Sequence, residues 1–267
     1  MKVANKVIVV TGAGSGMGRA LVLNLLKKDA RVAAVDLNEN TLQETVKLAG
    51  QYQDKISAHV VNVSDRKAVE ALPDAVIKAH GSVDGIINNA GIIQPFVRLN
   101  DLQYEAIERV LNVNFFGVLY MTKAFLPHLL KRPAAHIVNV SSMGGFFPVP
   151  GQTLYGASKA GVKLLTEGLY SELLGTNIKV TVVFPGAIAT NITQNSGVAM
   201  PSVSGESSQS FPTTSAQAAA ETIVNGIERD QFQVYIGKDA KLMNFLYRLS
   251  PKRATQFMYN QMKALLP

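Results

Sequence analysis

The chain has 267 residues, no cysteine and a formal net charge of +7. Without thiols there is neither a disulfide framework nor a thiolate metal site, and the four histidines (His59, His80, His128, His136) are scattered without metal-ligand spacing, so no metal is expected. Six Lys/Arg against one acid from Lys238 onward carry five of the seven charges; the body is nearly neutral and lacks the basic face and stacking motif of a nucleic-acid binder, so no nucleic-acid partner is expected.

The start, MKVANKVIVVTG, enters a strand within a few residues, and its apolar run is too short for the core of a signal peptide. No run reaches the length of a membrane span. A soluble, cytoplasmic protein is the expectation. A strand-then-helix alternation runs without a linker from Lys6 to about Gly237. It predicts one large α/β domain over residues 1–237, followed by a basic tail over 238–267.

Lys6–Thr11 (KVIVVT) is a β-branched run that leads straight into Gly12-Ala13-Gly14-Ser15-Gly16-Met17-Gly18 and a helical pattern over Arg19–Lys28. Strand, glycine-rich turn and helix are the parts of a dinucleotide site. The turn lets a pyrophosphate approach the backbone, and the helix amino end favours its charge. The spacing here is T-G-x-x-x-G-x-G, not the G-x-G-x-x-G of the longer dehydrogenases. The next strand, Arg31–Val35, ends on Asp36, where a carboxylate would take the adenosine ribose hydroxyls and repel a 2′-phosphate. Met17 and Leu37, the flanking positions for a basic residue, are apolar. NAD(H) is therefore expected over NADP(H), with Arg19 the one nearby cation that opposes this. A competing role for Asp36 is to cap the following helix, which Asn38 would also suit.

Ile56–Val61 reads as a third strand ending at Asn62-Val63, and Val83–Asn88 as a fourth leading into Asn88-Asn89-Ala90-Gly91. Two asparagines and a glycine after a strand suit a tight turn whose side chains bond the backbone locally. A long helical region, Asp101–Leu130, contains Asn114 among Val113, Phe115, Phe116 and Val118, and a buried amide there must find partners.

The apolar run His136–Val140 reads as a buried parallel strand and puts Ser142 at its carboxyl end, the edge of an open α/β sheet where ligands bind. Tyr155 and Lys159 follow, four apart on a helix and so on one face. A cation about 4 Å from a phenol, at an effective dielectric of ~20, contributes roughly 4 kcal/mol, enough to bring a pKa of ~10 toward neutrality. Such a tyrosine can act as general acid and base. Alone, the pair also fits an ordinary solvated helix face.

Together these motifs resemble the compact, single-domain branch of the short-chain dehydrogenase/reductase family, over about residues 6–237. The resemblance is carried by Thr11-Gly12, Gly16, Gly18, Asn88-Asn89-Ala90-Gly91, Asn114, Ser142, Tyr155, Lys159 and Pro185-Gly186. It implies a Rossmann-like, doubly wound parallel sheet of seven strands in the order 3-2-1-4-5-6-7, with Ile178–Phe184 and Gln233–Ile236 as the last two. It implies that Tyr155 is the acid/base, that Lys159 holds the nicotinamide ribose and lowers the tyrosine pKa, that Ser142 binds the reacting oxygen and that Asn114 anchors a relay water. Ser142, not Ser141, lies thirteen residues before Tyr155, the family's usual interval. The implied cofactor set is Gly12, Ser15, Gly16, Met17, Gly18, Asp36, Asn62, Val63, Asn89, Ala90, Gly91, Tyr155, Lys159, Pro185, Gly186, Ile188 and Thr190. Asn62 stands where an aspartate is more common. A homodimer or homotetramer, paired through the helices bearing Asn114 and Tyr155, is also implied.

The residues expected around a substrate, among them Gln94, Phe147 and Gln152, are mostly apolar and include no Lys or Arg. A neutral, lipophilic secondary alcohol or ketone is the expected substrate. The Ser/Thr/Gly/Pro-rich stretch Asn191–Ser215 reads as a lid over it, against which the aromatics could equally pack. In the tail, Leu242, Phe245, Leu246 and Leu249 form one apolar stripe, and Ala254, Phe257, Met258, Met262 and Leu265 another. Basic amphipathic helices predict a peripheral membrane contact; docking on the body or on a second subunit is the alternative. An NAD-linked oxidoreductase is the leading reading. An NADPH-dependent carbonyl reductase and a non-catalytic nucleotide-binding or membrane-associated protein stand beside it.

Overall fold

Each β-branched run becomes a parallel strand, and each amphipathic stretch between two runs becomes the helix that crosses over. The computed structural model describes residues 1–198 and 213–263. In chain order these comprise β1 (Val7–Thr11), α1 (Gly16–Lys27), β2 (Arg31–Asp36), α2 (Glu39–Leu48), β3 (Ile56–Val60), α3 (Arg66–His80), β4 (Gly85–Asn88), α4 (Tyr104–Leu111), α5 (Gly117–Leu129), β5 (Ala135–Val140), α6 (Thr153–Glu172) and β6 (Ile178–Pro185). Then follow β7 (Ile188–Ala189), α7 (Ile192–Ser196), β8 (Thr214–Ser215), α8 (Ala216–Glu228), β9 (Gln233–Ile236), α9 (Lys238–Leu249) and α10 (Pro251–Met262). Seven strands pair in parallel in the order β3-β2-β1-β4-β5-β6-β9. The order matches expectation; the seventh strand is ninth along the chain because the short ribbon β7–β8 intervenes.

The central strands β1, β4 and β5 are buried along their whole length, whereas β3 at the edge is half covered. That is why the central runs read as continuous apolar stretches: helices cover both faces. One face packs α1 on β1 and β2 and α8 on β6 and β9, the two helices meeting each other, through Leu21, Leu25, Ile223 and Val224. The other packs α3, α5 and α6 through Leu72, Val76, Phe125 and Leu169. Strand order reverses between β1 and β4, so their carboxyl ends diverge and leave a crevice at that edge.

The predicted helical region 101–130 is not one regular helix. Between α4 and α5 the chain makes a π-helical turn over Asn112–Phe116, and Asn114 is its one buried residue. An extra residue in the turn re-aims a side chain, and such turns recur at functional sites. The tail also departs from expectation in part. Leu246, Ala254, Met258 and Met262 pack with Phe147 and Met143 of the body, while Leu242, Phe245, Leu249 and Phe257 from the same stripes stay exposed. Leu265 lies outside the described residues.

Candidate active site

A cleft of about 720 Å³ opens at the carboxyl edge of the sheet, a volume suited to a cofactor-sized ligand. Every residue of the expected cofactor set lines it, from Gly12 to Thr190, and so does Ser142. Thr41, Ser64 and Asn195, which sequence reasoning did not single out, line it as well.

The glycine loop shapes one end. A Cβ on Gly18 would overlap the carbonyl oxygen of Gly12, so only glycine lets α1 begin this close to the turn. Ser15 precedes α1 without capping it through its side chain, which leaves the first-turn N–H groups of a helix end that lines the cleft without a side-chain acceptor from Ser15. Its hydroxyl accepts instead from Asn195 Nδ2 at 2.8 Å, tying α7 across the loop. The adjacent Ser196 hydroxyl accepts from Ile93 N–H at 3.0 Å. Of the stretch expected to form a lid, Asn191, Ile192 and Asn195 line the cleft, Thr214–Ser215 form β8, and 199–212 lie outside the described residues.

At the end of β2, the Asp36 carboxylate accepts from Gly14 N–H at 2.8 Å and Asn38 N–H at 3.0 Å. The cap of α2 is Asn38, whose side chain accepts from Thr41 N–H at 3.1 Å. Arg19 is drawn away from the cleft, donating to Glu44, Thr45 and the carbonyls of Gly14 and Thr41. Thr11, which the sequence pattern did not mark beyond the turn, holds the second wall: its hydroxyl accepts from the N–H groups of Asn89 and Ala90, both at 3.0 Å. Asn89 Nδ2 returns a bond to Thr11 O at 2.9 Å, so this asparagine, expected to bond the backbone of its own turn, instead ties that turn to the end of β1.

The chemistry-bearing residues meet at the end of β5. Ser141 turns inward, donating to the carbonyl of Lys159 at 2.7 Å, and Ser142 faces the cleft, accepting from Gly144 N–H at 3.0 Å. Tyr155 and Lys159 share the cleft-facing side of α6. The Lys159 ammonium is buried and donates to Val140 O at 3.0 Å. Asn114 does not line the cleft. Its side-chain oxygen accepts from Ile92 N–H at 2.9 Å, and its nitrogen donates to Ile92 O at 2.9 Å and Ser158 Oγ at 3.1 Å. Both amide hydrogens are thereby committed inside the protein, and of this side chain only the remaining oxygen lone pair is left for a water.

Three expected substrate contacts are corrected. Gln94 is fully buried; its side-chain oxygen accepts from Leu154 N–H at 2.8 Å and Tyr155 N–H at 3.0 Å, and its nitrogen donates to Gly151 O at 3.0 Å. It caps the helix that carries Tyr155. Gln152 donates to Gln94 O at 2.8 Å and is buried with it. Phe147 is fully buried against Ala254 and Met258, its ring edge-on to Tyr247 at 5.9 Å. The tail, which the local pattern could not place, occupies the space that ring was expected to border.

The model of the short-chain dehydrogenase family matches residues 6–200. A Mycobacterium tuberculosis chain that carries the name oxidoreductase SadH is 41% identical over 254 residues, 91% of this chain and 90% of that one. The chain belongs to the short-chain dehydrogenase family. Among solved structures, this dehydrogenase is similar to one from Burkholderia phymatum in complex with NAD (TM-score 0.80, 27% identity, 88% and 90% of the two chains). It is also similar to one from Burkholderia cenocepacia in complex with NADP (TM-score 0.80, 25% identity, 97% and 99%). The family binds NAD or NADP, and the uncapped α1 terminus together with the Asp36 carboxylate fits a dinucleotide in this dehydrogenase.

Electrostatics correct one expectation about the dehydrogenase's tyrosine. Burial pushes the Tyr155 phenol up from its ordinary value, and a hydrogen bond with Ser142 opposes this. The expected fall toward neutrality assumed a solvated pair and left out desolvation, which dominates here. Burial also lowers Lys159 from 10.5 to about 8. Folding with this ammonium charged therefore costs roughly 3 kcal/mol below pH 8, and the cost fades as pH rises from 8 toward 10.5, where the unfolded lysine still binds its proton. Replacing a buried charge by an apolar side chain of similar volume is then stabilising. Lys159→Met is expected to be more stable than the wild type by about 1–3 kcal/mol at pH 7, with the gap closing by pH 10. Urea melts at the two pH values measure this, and a less stable variant at pH 7 contradicts it.

Proposed function

We propose that this dehydrogenase transfers a hydride between NAD(H) and a neutral, lipophilic secondary alcohol or ketone, with Tyr155 as acid and base. The observation that carries the reading is the convergence of Ser142, Tyr155 and Lys159 on the cleft that also presents the glycine loop and Asp36. A nicotinamide held there would supply or accept the hydride. The residues of the chain supply orientation and the proton. Gly144 N–H fills one acceptor site of Ser142 Oγ, and the serine's own hydrogen, which bonds to the Tyr155 phenol, would be offered to the substrate oxygen lying between the two hydroxyls. Tyr155, protonated at neutral pH, donates to a carbonyl oxygen in reduction; in oxidation its phenolate takes the alcohol proton. The buried ammonium of Lys159 favours that phenolate as it forms.

Ile92, Ile93, Ile188 and Ile192 line the cleft, and the only cations among its described lining residues are Lys159 and Arg109 of α4. A lipophilic, uncharged substrate suits such walls better than a phosphate or carboxylate. Loss of the phenol in Tyr155→Phe is expected to lower turnover roughly 10²–10⁴-fold while leaving NADH binding within twofold. With the wild type, ketone reduction should fall and alcohol oxidation rise as pH passes the raised tyrosine pKa. A panel of ketones and alcohols followed by NADH absorbance tests this; undiminished turnover in Tyr155→Phe refutes the acid/base role and favours the non-catalytic reading.

The preference for NAD(H) rests on Asp36, whose carboxylate at the cleft edge would face a 2′-phosphate, and on Arg19 being engaged elsewhere. The Michaelis constant for NADPH is expected to exceed that for NADH by about tenfold or more, and Asp36→Ala to narrow the ratio. A preference for NADPH in the wild type would instead mark a carbonyl reductase of the same family.

The tail supports a second reading, a peripheral contact with an anionic bilayer. Leu242, Phe245 and Leu249 of α9 are 52%, 60% and 67% exposed, flanked by the exposed Lys238, Lys241 and Arg248. The one acid of that helix, Asp239, turns inward to Ala187. Two copies docked through this face would oppose like charges, whereas anionic headgroups complement it. Full-length protein should sediment with vesicles rich in anionic lipid, less so in high salt, and the double variant Leu242→Ser, Phe245→Ser should stay in the supernatant. Equal recovery of both proteins from the supernatant sinks the membrane contact.

A further inference from the structure

The segment Pro185-Gly186-Ala187-Ile188 forms the cleft wall on the far side of Ser142 from the glycine loop, and an acid from the tail reaches it. Gly186 N–H donates to Ile236 O at 2.9 Å, and Ala187 O accepts from Thr214 N–H at 2.9 Å. Ala187 N–H donates to Asp239 Oδ2 at 2.8 Å. A Cβ on Gly186 or on Gly237 would overlap the Asp239 carboxylate, so two glycines clear the space that lets this side chain lie against the segment. Ile188 pairs with Thr214 in a parallel ladder. With Ala187 O turned to β8, the alternation of such a ladder turns the N–H and C=O of Ile188 the other way, toward the cleft that Ile188 lines.

We propose that Asp239 is a positioning residue for the nicotinamide end of the cleft. By holding the Ala187 peptide it fixes the direction of the Ile188 backbone groups, which would be offered to the carboxamide of a bound nicotinamide. The proposal rests on the dinucleotide reading given above. Asp239 is two residues into the tail, in the first turn of α9, where a carboxylate is also favoured by the helix amino end. The same helix pair packs on Phe147 and Met143, so Asp239 links the tail to the reacting end of the cleft and not to the adenosine end.

The two ends can be separated by ligands. ADP-ribose has the adenosine and pyrophosphate of the cofactor and lacks nicotinamide. Titration of full-length wild type, Asp239→Ala and Asp239→Asn with NADH and with ADP-ribose, by calorimetry, tests the proposal. Loss of one charge-assisted bond that orders the Ile188 peptide should weaken NADH about tenfold in Asp239→Ala and leave ADP-ribose within twofold. Asp239→Asn keeps an acceptor of the same shape and should restore most of the NADH affinity. If Asp239→Ala does not fold, Asp239→Ser, whose shorter side chain cannot reach Ala187, should give the same split. Equal weakening of both ligands makes Asp239 a general structural residue and overturns the proposal, as does no weakening of either. Failure of the wild type to bind NADH and ADP-ribose alike would overturn the dinucleotide reading itself.

Discussion

The candidate site turns on a buried ammonium. Lys159 sits on α6 with its charge at the carboxyl end of β5, bonded to Val140 O and removed from solvent. That charge stabilises nothing by itself; desolvation lowers its pKa to about 8, which marks its cost to folding. A group so placed persists when the surrounding structure is stable enough to hold it and the site needs it. The rigid sheet beneath it supplies that stability: β5 is wholly buried between β4 and β6, with Asn139 and Asn88 bonded across the strands at 2.8 Å.

Around the ammonium, polar side chains are used to fix backbone, not to touch ligand. Gln94 caps the start of α6 at Leu154 and Tyr155, and Asn114 joins Ile92 to Ser158 one turn further along. Ser158 in turn donates to Tyr155 O at 2.7 Å. The loop after β4 and the first turns of α6 are thus sewn together at two points, which sets the height of the phenol relative to Ser142. Both amides are buried, and each buried donor or acceptor left unmade would cost about 1–3 kcal/mol, so the geometry is stiff. The π-helical turn is what aims Asn114 into this junction.

The tail extends the same logic to the opposite wall. Its inner face closes over Phe147, and its single acid grips the segment after β6, so the C-terminal helices are a part of the cleft's frame. Its outer face is apolar and basic. One amphipathic pair therefore faces two ways, which an apolar stripe in a sequence does not distinguish.

Sequence alone determined the alternation of strands and helices, the seven-strand order through its family resemblance, the glycine loop, Asp36, and the spacing of Ser142, Tyr155 and Lys159. These are local facts: a period of two or 3.6, a turn that only glycine allows, a pair four apart on a helix. Whether a polar side chain near the cleft faces ligand or backbone was decided by tertiary structure. Gln94 and Gln152 are 58 residues apart in sequence and meet as a buried clasp, and Phe147 meets Met258 across more than a hundred residues. The tyrosine's pKa was decided there too, because Coulomb attraction can be read from a four-residue spacing, whereas desolvation depends on everything packed around the site.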